Sequence, residues 1–200
     1  MSFSDYQNAN EMSERRIHIE PAPGRLLISE PSLTDFYFKQ SVVLLAEHNE
    51  EGSFGLIVNK PIQAKLNEVT KDFPDFNAQM YLGGPVKTDS IFYIHTLGNV
   101  IENSIRIMDG LYWGGDIHRI KEMMILRQLN SSEIRFFIGY AGWESHQLDR
   151  ELKEKSWVVS TTRAEQVIHT NPRVMWSDLM RSFGDDYAVW ANFPPDLSMN

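Results

Sequence analysis

The chain has 200 residues with 19 basic and 27 acidic side chains, a formal net charge of −8 that opposes long-range attraction to nucleic-acid phosphates or anionic lipid. Hydrophobic residues at 42% against 23% charged are globular values, so one domain is expected, burying roughly two thirds to three quarters of its unfolded surface. There is no cysteine, which excludes disulfides, thiol nucleophiles and thiolate metal sites together and fits a reducing cytosol.

Residues 1–20 are polar and unpatterned, lacking the basic start and apolar core of a secretory signal; they are expected to form an arm, with residues 21–200 as a single domain. The longest apolar runs, Val42–Ala46 and Tyr187–Ala191, are five residues each, against the ~20 that span a bilayer, so a cytoplasmic chain with no membrane partner is expected. Pro21, Pro23 and Gly24 then punctuate the domain start.

Arg25–Ser29 reads as a short strand, and Ser41–Glu47, with its uninterrupted apolar centre, as a strand buried on both faces. Its partner is Phe54–Asn59, because the polar, glycine-bearing stretch His48–Ser53 suits a hairpin. After Pro61, Leu66 and Val69 support a short helix ending near Asp72–Pro74. Gln79–Leu82, Ser90–Thr96 and Ser104–Met108 are further strands.

Asp116 is placed as the N-cap of a helix reaching Leu129, with Ile117, Ile120 and Met124 on one face. Glu133–Tyr140 is a strand. Glu144–Lys155 reads as an amphipathic helix with Leu148 and Leu152 inward and Glu151 and Lys155 as an outward pair. Ser156–Ser160 is the last strand. Thr162 to Glu165 has the form of a capping box, and Asn171-Pro172 is an N-cap followed by proline for a helix through Trp176 and Leu179 that stops near Gly184. Strands early, helices late and short connections between strands predict an α+β domain, a mixed and largely antiparallel sheet flanked by helices, with a helix-rich C-terminal part.

The stretch Tyr81–His95 carries Gly83, Gly84, Pro85, Lys87 and Thr88 and invites comparison with a phosphate loop. Val86 stands where a glycine would precede the lysine, Pro85 removes an amide donor, and strand rather than helix follows. The pair of glycines therefore reads as a turn between strands with positive φ at a glycine. No Gly-x-Ser-x-Gly elbow and no Gly-x-Gly-x-x-Gly fingerprint occurs.

Six histidines are dispersed with no His-x-x-x-His pair, so no metal site is expected, and Glu47 and His48 would point to opposite faces of a strand. Gly139–Gln147 is the densest chemistry: a strand end, glycines allowing a sharp turn, then Trp143 and polar groups opening a helix whose amides could meet an anion. The alternative is structural, with Trp143 plugging the sheet edge and Gln147 satisfying a backbone group.

Several blocks together resemble the bacterial AlgH/YqgE family: Pro23–Pro31, Phe38–His48, Gly55–Pro61, Gly83–Val86 with His95, and Gly139–Leu148 followed by Ser156-Trp157, in that order and covering roughly residues 22–190. The family's small residue or cysteine before the Glu-His pair is Ala46 here, and its glycine before Gln-Leu is His146. The resemblance implies a compact α+β fold, a bacterial origin and a label of transcriptional regulator drawn from a genetic association with alginate production.

The residues expected to line a ligand pocket are His48, Asn59, Lys60, Gly83, Gly84, Pro85, His95, Gly142, Trp143 and Gln147. The leading reading is a non-enzymatic regulatory or binding protein acting through a small molecule or a protein partner, without a cofactor. Direct binding of nucleic acid is not expected, because Asp116–Leu129 offers only Arg119, Lys121 and Arg127 among apolar neighbours. One alternative is an enzyme in which His48, His95, Trp143 and Gln147 converge with Asn59 and Lys60 on one cleft. Another is a homo-oligomeric scaffold that buries Tyr112-Trp113 or Tyr187–Trp190 between copies.

Overall fold

The structure, a computed structural model, describes residues 19–188 and 190–192; the expected arm over residues 1–20 lies outside them except for Ile19 and Glu20. Ten strands form one sheet: β1 Leu26–Ser29, β2 Val42–Asn49, β3 Gly52–Ile57, β4 Pro61–Lys65, β5 Gln79–Leu82, β6 Val86–His95, β7 Ile105–Met108, β8 Leu111–Trp113, β9 Ile134–Glu144 and β10 Trp157–Ser160. The main path runs β10-β1-β2-β3-β9-β6-β8-β7, with β4 on β5 and β5 on β9. The β5–β9 pairing is parallel; the others are antiparallel. The helices are α1 Leu66–Val69, α2 Ile117–Ile125, α3 Gln147–Lys153, α4 Ala164–His169, α5 Pro172–Ser182 and α6 Asp185–Ala188. The fold is the expected α+β class.

Alternation along the central strands sorts side chains into separate cores. Val42, Leu44 and Ala46 join Leu26 and Ile28 in a cluster covered by Val167, Ile168, Met175, Trp176 and Met180 of α4 and α5. Val43 and Leu45 point the other way, joining Leu27, Ile57 and Trp143 beneath Leu148 of α3. Both faces of β2 are therefore buried, at about 1.5–3 kcal/mol for each large aliphatic side chain removed from water. A third cluster forms where Ile120, Met123 and Met124 of α2 pack on Met80, Tyr93 and Phe136. The sheet curls so that β7 meets the start of β1: a Cβ on Gly24 would lie 3.1 Å from Met108 Cβ.

Buried polar groups tie these layers together. Asn59 accepts from Val42 N–H at 2.8 Å and donates to the Gln40 carbonyl at 2.9 Å. Trp176 Nε1 donates to the Ser29 carbonyl at 3.0 Å, fastening α5 to β1. Arg135, only 7% exposed, donates to the carbonyls of Val58 and Ile168 and lies over the Tyr81 ring. Burial presses its guanidinium below the ordinary value, and the Tyr81 contribution opposes that shift.

Gly83 and Gly84 form a chain crossing. β5 lies on one side of β9 and β6 on the other, so the intervening linker must step over β9 at Gly139. The backbones touch there: a Cβ on Gly83 would sit 2.1 Å from the Gly139 carbonyl oxygen, and one on Gly84 2.2 Å from the Tyr140 carbonyl carbon. Gly139, at φ +67°, would meet the Gly84 oxygen at 2.5 Å if it carried a Cβ. Gly84 has φ +154°, as the expected glycine turn requires.

Several boundaries differ from the sequence reading. β4 and β8 were not expected; β4 is short and opens on a proline, and β8 is three residues long. β6 begins at Val86, its register broken before Ile91, with Lys87 at φ +49°. α2 ends at Ile125 because Arg127 turns left-handed, leaving Ile125 and Leu126 exposed. The fourth capping position is Arg163, one residue late, where Gln166 Oε1 accepts from its N–H at 3.1 Å. Asp116 and Asn171 are N-caps as expected, accepting from His118 and Arg173 N–H.

The largest difference is at the glycine corner. β9 does not stop at Tyr140 but continues through Gly142 and Trp143 to Glu144, paired with β3 along Gly52–Gly55. The turn into α3 is made at His146, which adopts φ +59°. Trp143 is thus in an interior strand rather than plugging an edge. Tyr112 and Trp113 pack inward as well, Tyr112 stacked on His95 and Trp113 against Phe54. At the C-terminal patch the Tyr187 hydroxyl donates to Glu30 at 2.9 Å; the side chain of Trp190 lies outside the described residues.

Candidate functional site: a cleft at the hairpin end

The β2–β3 hairpin closes with Asn49 Oδ1 accepting from Glu51 N–H at 2.9 Å, a side-chain turn that asparagine makes readily. This places His48 directly across from Ser53, and His48 Nδ1 lies 2.8 Å from Ser53 Oγ. The Ser145 hydroxyl donates to the Glu50 carbonyl at 2.7 Å, fastening the hairpin tip to the β9–α3 corner. Between hairpin and corner lies a cleft of about 270 Å³, lined by His48, Ser53, Glu50, Glu144, His146 and Asp149 among others. His146 Nδ1 and Asp149 Oδ2 are 3.3 Å apart on its exposed rim.

Behind the cleft, α3 presents Glu151 inward. Its Oε2 accepts from both Trp143 Nε1 and Trp157 Nε1 at 2.8 Å, and its Oε1 accepts from Gln147 Nε2 at 2.8 Å. Gln147 Oε1 in turn accepts from Glu144 N–H at 3.0 Å. The expected outward Glu151–Lys155 pair does not form, because α3 ends at Lys153 and Lys155 turns left-handed at φ +58°. Phe38 stacks on Trp143 and meets Trp157 edge-on, closing an aromatic cluster around this carboxylate.

The residues expected to share one pocket fall in several places. His48 alone lines the cleft. Trp143 and Gln147 stand behind it, bound to Glu151. Gly142 is in mid-strand, where a Cβ would come 2.9 Å from the Tyr140 ring, so its role is close packing and not a turn. Gly83, Gly84 and exposed Pro85 form the crossing over β9, and Lys60 stands beside it, its carbonyl accepting from Leu82 N–H. Asn59 clamps β2.

His95 is wholly buried on the opposite side of the sheet's path, under β8. Its Nδ1 accepts from Leu97 N–H at 3.3 Å, so the ring hydrogen sits on Nε2, facing the Gly114 carbonyl at 3.2 Å and Ser104 Oγ at 3.0 Å. Ser104 sends its own hydrogen to the Ile101 carbonyl at 2.7 Å. Burial lowers the His95 pKa, and the Gly114 hydrogen bond partly opposes that. Its neighbour Tyr93 donates to the Gly115 carbonyl at 2.7 Å and is pushed up to about 12, chiefly by burial and then by Asp116.

Sequence reasoning missed Ser53, Asp149 and Glu151. The first was within reach, since a hairpin turning at Glu50-Glu51 pairs His48 with Ser53 by counting. Glu151 had a weaker signal: two tryptophans near one short helix each need an acceptor. Among the described residues no group of three or more His, Asp or Glu is placed to hold a metal ion, and no helix is long and apolar enough to cross a membrane.

Fold and cleft together define an α+β domain with one curled sheet and a polar recess at its hairpin end. A family model described as AlgH-like matches residues 26–188, and the chain belongs to that family. It is similar to a UPF0301 protein of Bacteroides thetaiotaomicron, 43% identical over 92% of this chain and 93% of that one. One of Chlorobaculum tepidum is 40% identical over 89% and 95%. Among solved structures, the solution structure of the AlgH protein from Pseudomonas aeruginosa superposes with a TM-score of 0.67 at 25% identity, covering 88% of this chain and 97% of that one. The crystal structure of a Corynebacterium diphtheriae protein gives 0.69 at 25% identity, covering 91% and 97%.

Proposed function

We propose that the protein is a non-enzymatic binding protein of the bacterial cytoplasm with a regulatory role, and that the hairpin-end cleft receives its ligand. The observation that carries this is the composition of the cleft. Glu50, Glu144 and Asp149 stand beside two imidazoles and a hydroxyl, a set of acceptors that suits an amine or guanidinium on a small molecule or on a protein segment. His48 is bonded to Ser53, yet among the described residues no carboxylate orients His48, so the pair lacks the third member that acyl transfer uses. A net charge of −8 favours the same class of ligand and disfavours direct contact with nucleic acid, so an effect on transcription would pass through the bound partner.

The test is an amide-resonance titration with spermidine and with a lysine-rich peptide. Saturable shifts confined to His48, Ser53, Glu144 and Asp149, lost in a Glu144→Gln, Asp149→Asn double variant, are expected. Shifts spread over the acidic surface, or retention on DNA that salt reverses, would overturn the reading.

A further inference from the structure

A second cleft, of about 380 Å³, opens between the connection leading into β5 and the connection from α2 to β9. Phe76 and Leu129 supply its apolar part, Leu129 only 8% exposed and Phe76 edge-on to buried Phe136. The rest of its wall is Asn77, Arg127, Gln128, Asn130 and Ser131, so among the described residues that line it there are donors and one cation but no carboxylate. This inverts the hairpin-end cleft, which Glu50, Glu144 and Asp149 line.

The donors are uncommitted. Asn130 Oδ1 accepts from Ser132 N–H at 3.0 Å and from the Ser132 hydroxyl at 2.9 Å, which leaves the amide Nδ2 free to donate. Among the described residues nothing pairs with the Arg127 guanidinium or with the side-chain amides of Asn77 and Gln128. Glu133, the acid that follows in the chain, turns its Oε2 to Asn130 N–H at 2.9 Å instead.

Arg127 also stands where the end of α2 favours another residue. The carbonyls of Met123 and Met124 accept from Gln128 N–H at 2.8 Å and from Arg127 N–H at 3.1 Å, the pair of bonds that closes a helix on a left-handed residue, usually glycine. Arg127 takes that conformation at φ +55° despite its Cβ. The last turn does not need the guanidinium, because Leu126 N–H closes on the Glu122 carbonyl as well. What the side chain adds at this strained position is the single positive charge of the cleft.

We infer that this cleft binds a small apolar carboxylate. The guanidinium receives the carboxylate in its planar fork, the amides of Asn77, Gln128 and Asn130 donate to the remaining lone pairs, and Phe76 with Leu129 carries the hydrocarbon body. One positive charge matches a monoanion and leaves a phosphate group, with its near-double charge, uncompensated. The volume lies near the lower limit of ligand pockets, so the ligand is small.

Amide-resonance titrations of the full chain with 3-phenylpropionate and 4-methylvalerate test this, with 3-phenylpropanol and inorganic phosphate alongside. Each carboxylate is expected to give saturable shifts at Asn77 and residues 127–131, and the alcohol and phosphate to bind about tenfold or more weakly. Arg127→Gln should raise the carboxylate dissociation constant about tenfold or more. Arg127→Gly should do the same while raising the urea midpoint, a split between binding and stability that an arginine kept for the fold would not give. Failure of both carboxylates to give saturable shifts there, phosphate that binds as tightly, or variants that bind as well as the wild type would each overturn the inference. Neither substitution alters a residue of the hairpin-end cleft, so the amine titration stands or falls separately.

Discussion

Glu151 and His95 each gather three polar neighbours, the first half-buried behind the cleft and the second wholly buried under β8, but they do so with opposite chemistry. The carboxylate only accepts, so two indoles and an amide can surround it with donors in one arrangement. The imidazole must accept at Nδ1 and donate at Nε2 at once, because Leu97 N–H points at one nitrogen and the Gly114 carbonyl at the other. A second proton on His95 would set two N–H groups against each other. The carboxylate hub is therefore held by the number of its bonds, and the imidazole hub by its protonation state.

The comparison breaks most severely with Glu151→Leu, which strands two indole N–H groups and the Gln147 amide. A loss of about 2–4 kcal/mol in urea unfolding is expected, with altered tryptophan emission from Trp143 and Trp157. His95→Phe fills a similar volume but leaves Leu97 N–H and Ser104 without their partner, for a loss of about 2–3 kcal/mol at pH 8.

The third prediction separates the hubs by pH. The folded His95 pKa lies below the ordinary 6.5, so the unfolded chain takes up a proton first as pH falls. The stability contributed by neutral His95 is complete above pH 6.5 and drains below it, toward the lowered folded value, at up to about 1.4 kcal/mol per pH unit. In His95→Phe this component of the slope should vanish, and in Glu151→Gln it should remain.

Glu151→Gln is itself a milder probe, expected to cost about 1 kcal/mol at neutral pH, because one amide oxygen can still serve both indoles. The smallest effect is expected at the cleft rim. His146 occupies left-handed space at φ +59°, and His146→Gly should change stability by under about 1 kcal/mol, toward greater stability, measured as a small rise in denaturation midpoint. It would leave both hubs intact.

That last position also shows what the sequence could and could not convey. The family's glycine before Gln-Leu is His146 here, and the backbone at that strand-to-helix turn asks for a left-handed residue, which glycine adopts freely. Local signals were reliable where a single residue decides the outcome: Asp116 and Asn171 as caps, Gly184 as a stop, and Val42–Ala46 as a strand buried on both sides. They failed where partners distant in the chain decide. β9 runs past two glycines because β3 holds its far half and the Gly83-Gly84 crossing needs Gly139 beneath it. Glu151 turned inward because tryptophans from β9 and β10 meet over α3. Of the residues expected to share a pocket, His48 lines the hairpin-end cleft, Trp143 and Gln147 stand behind it at Glu151, and Gly83 and Gly84 make the crossing over β9.

The position of β9 also bears on how the chain is made. Residues 134–144 hydrogen-bond to β3, β5 and β6, all of which precede them by dozens of positions. During synthesis those earlier strands leave the ribosome with their central neighbour still untranslated, and the linker at Gly83-Gly84 has nothing to cross. The ladders β1–β2–β3, β4–β5 and β6–β8–β7 can pair before β9, but they join into one sheet only when β9 is added, so the step that unites them involves contacts distant in the chain.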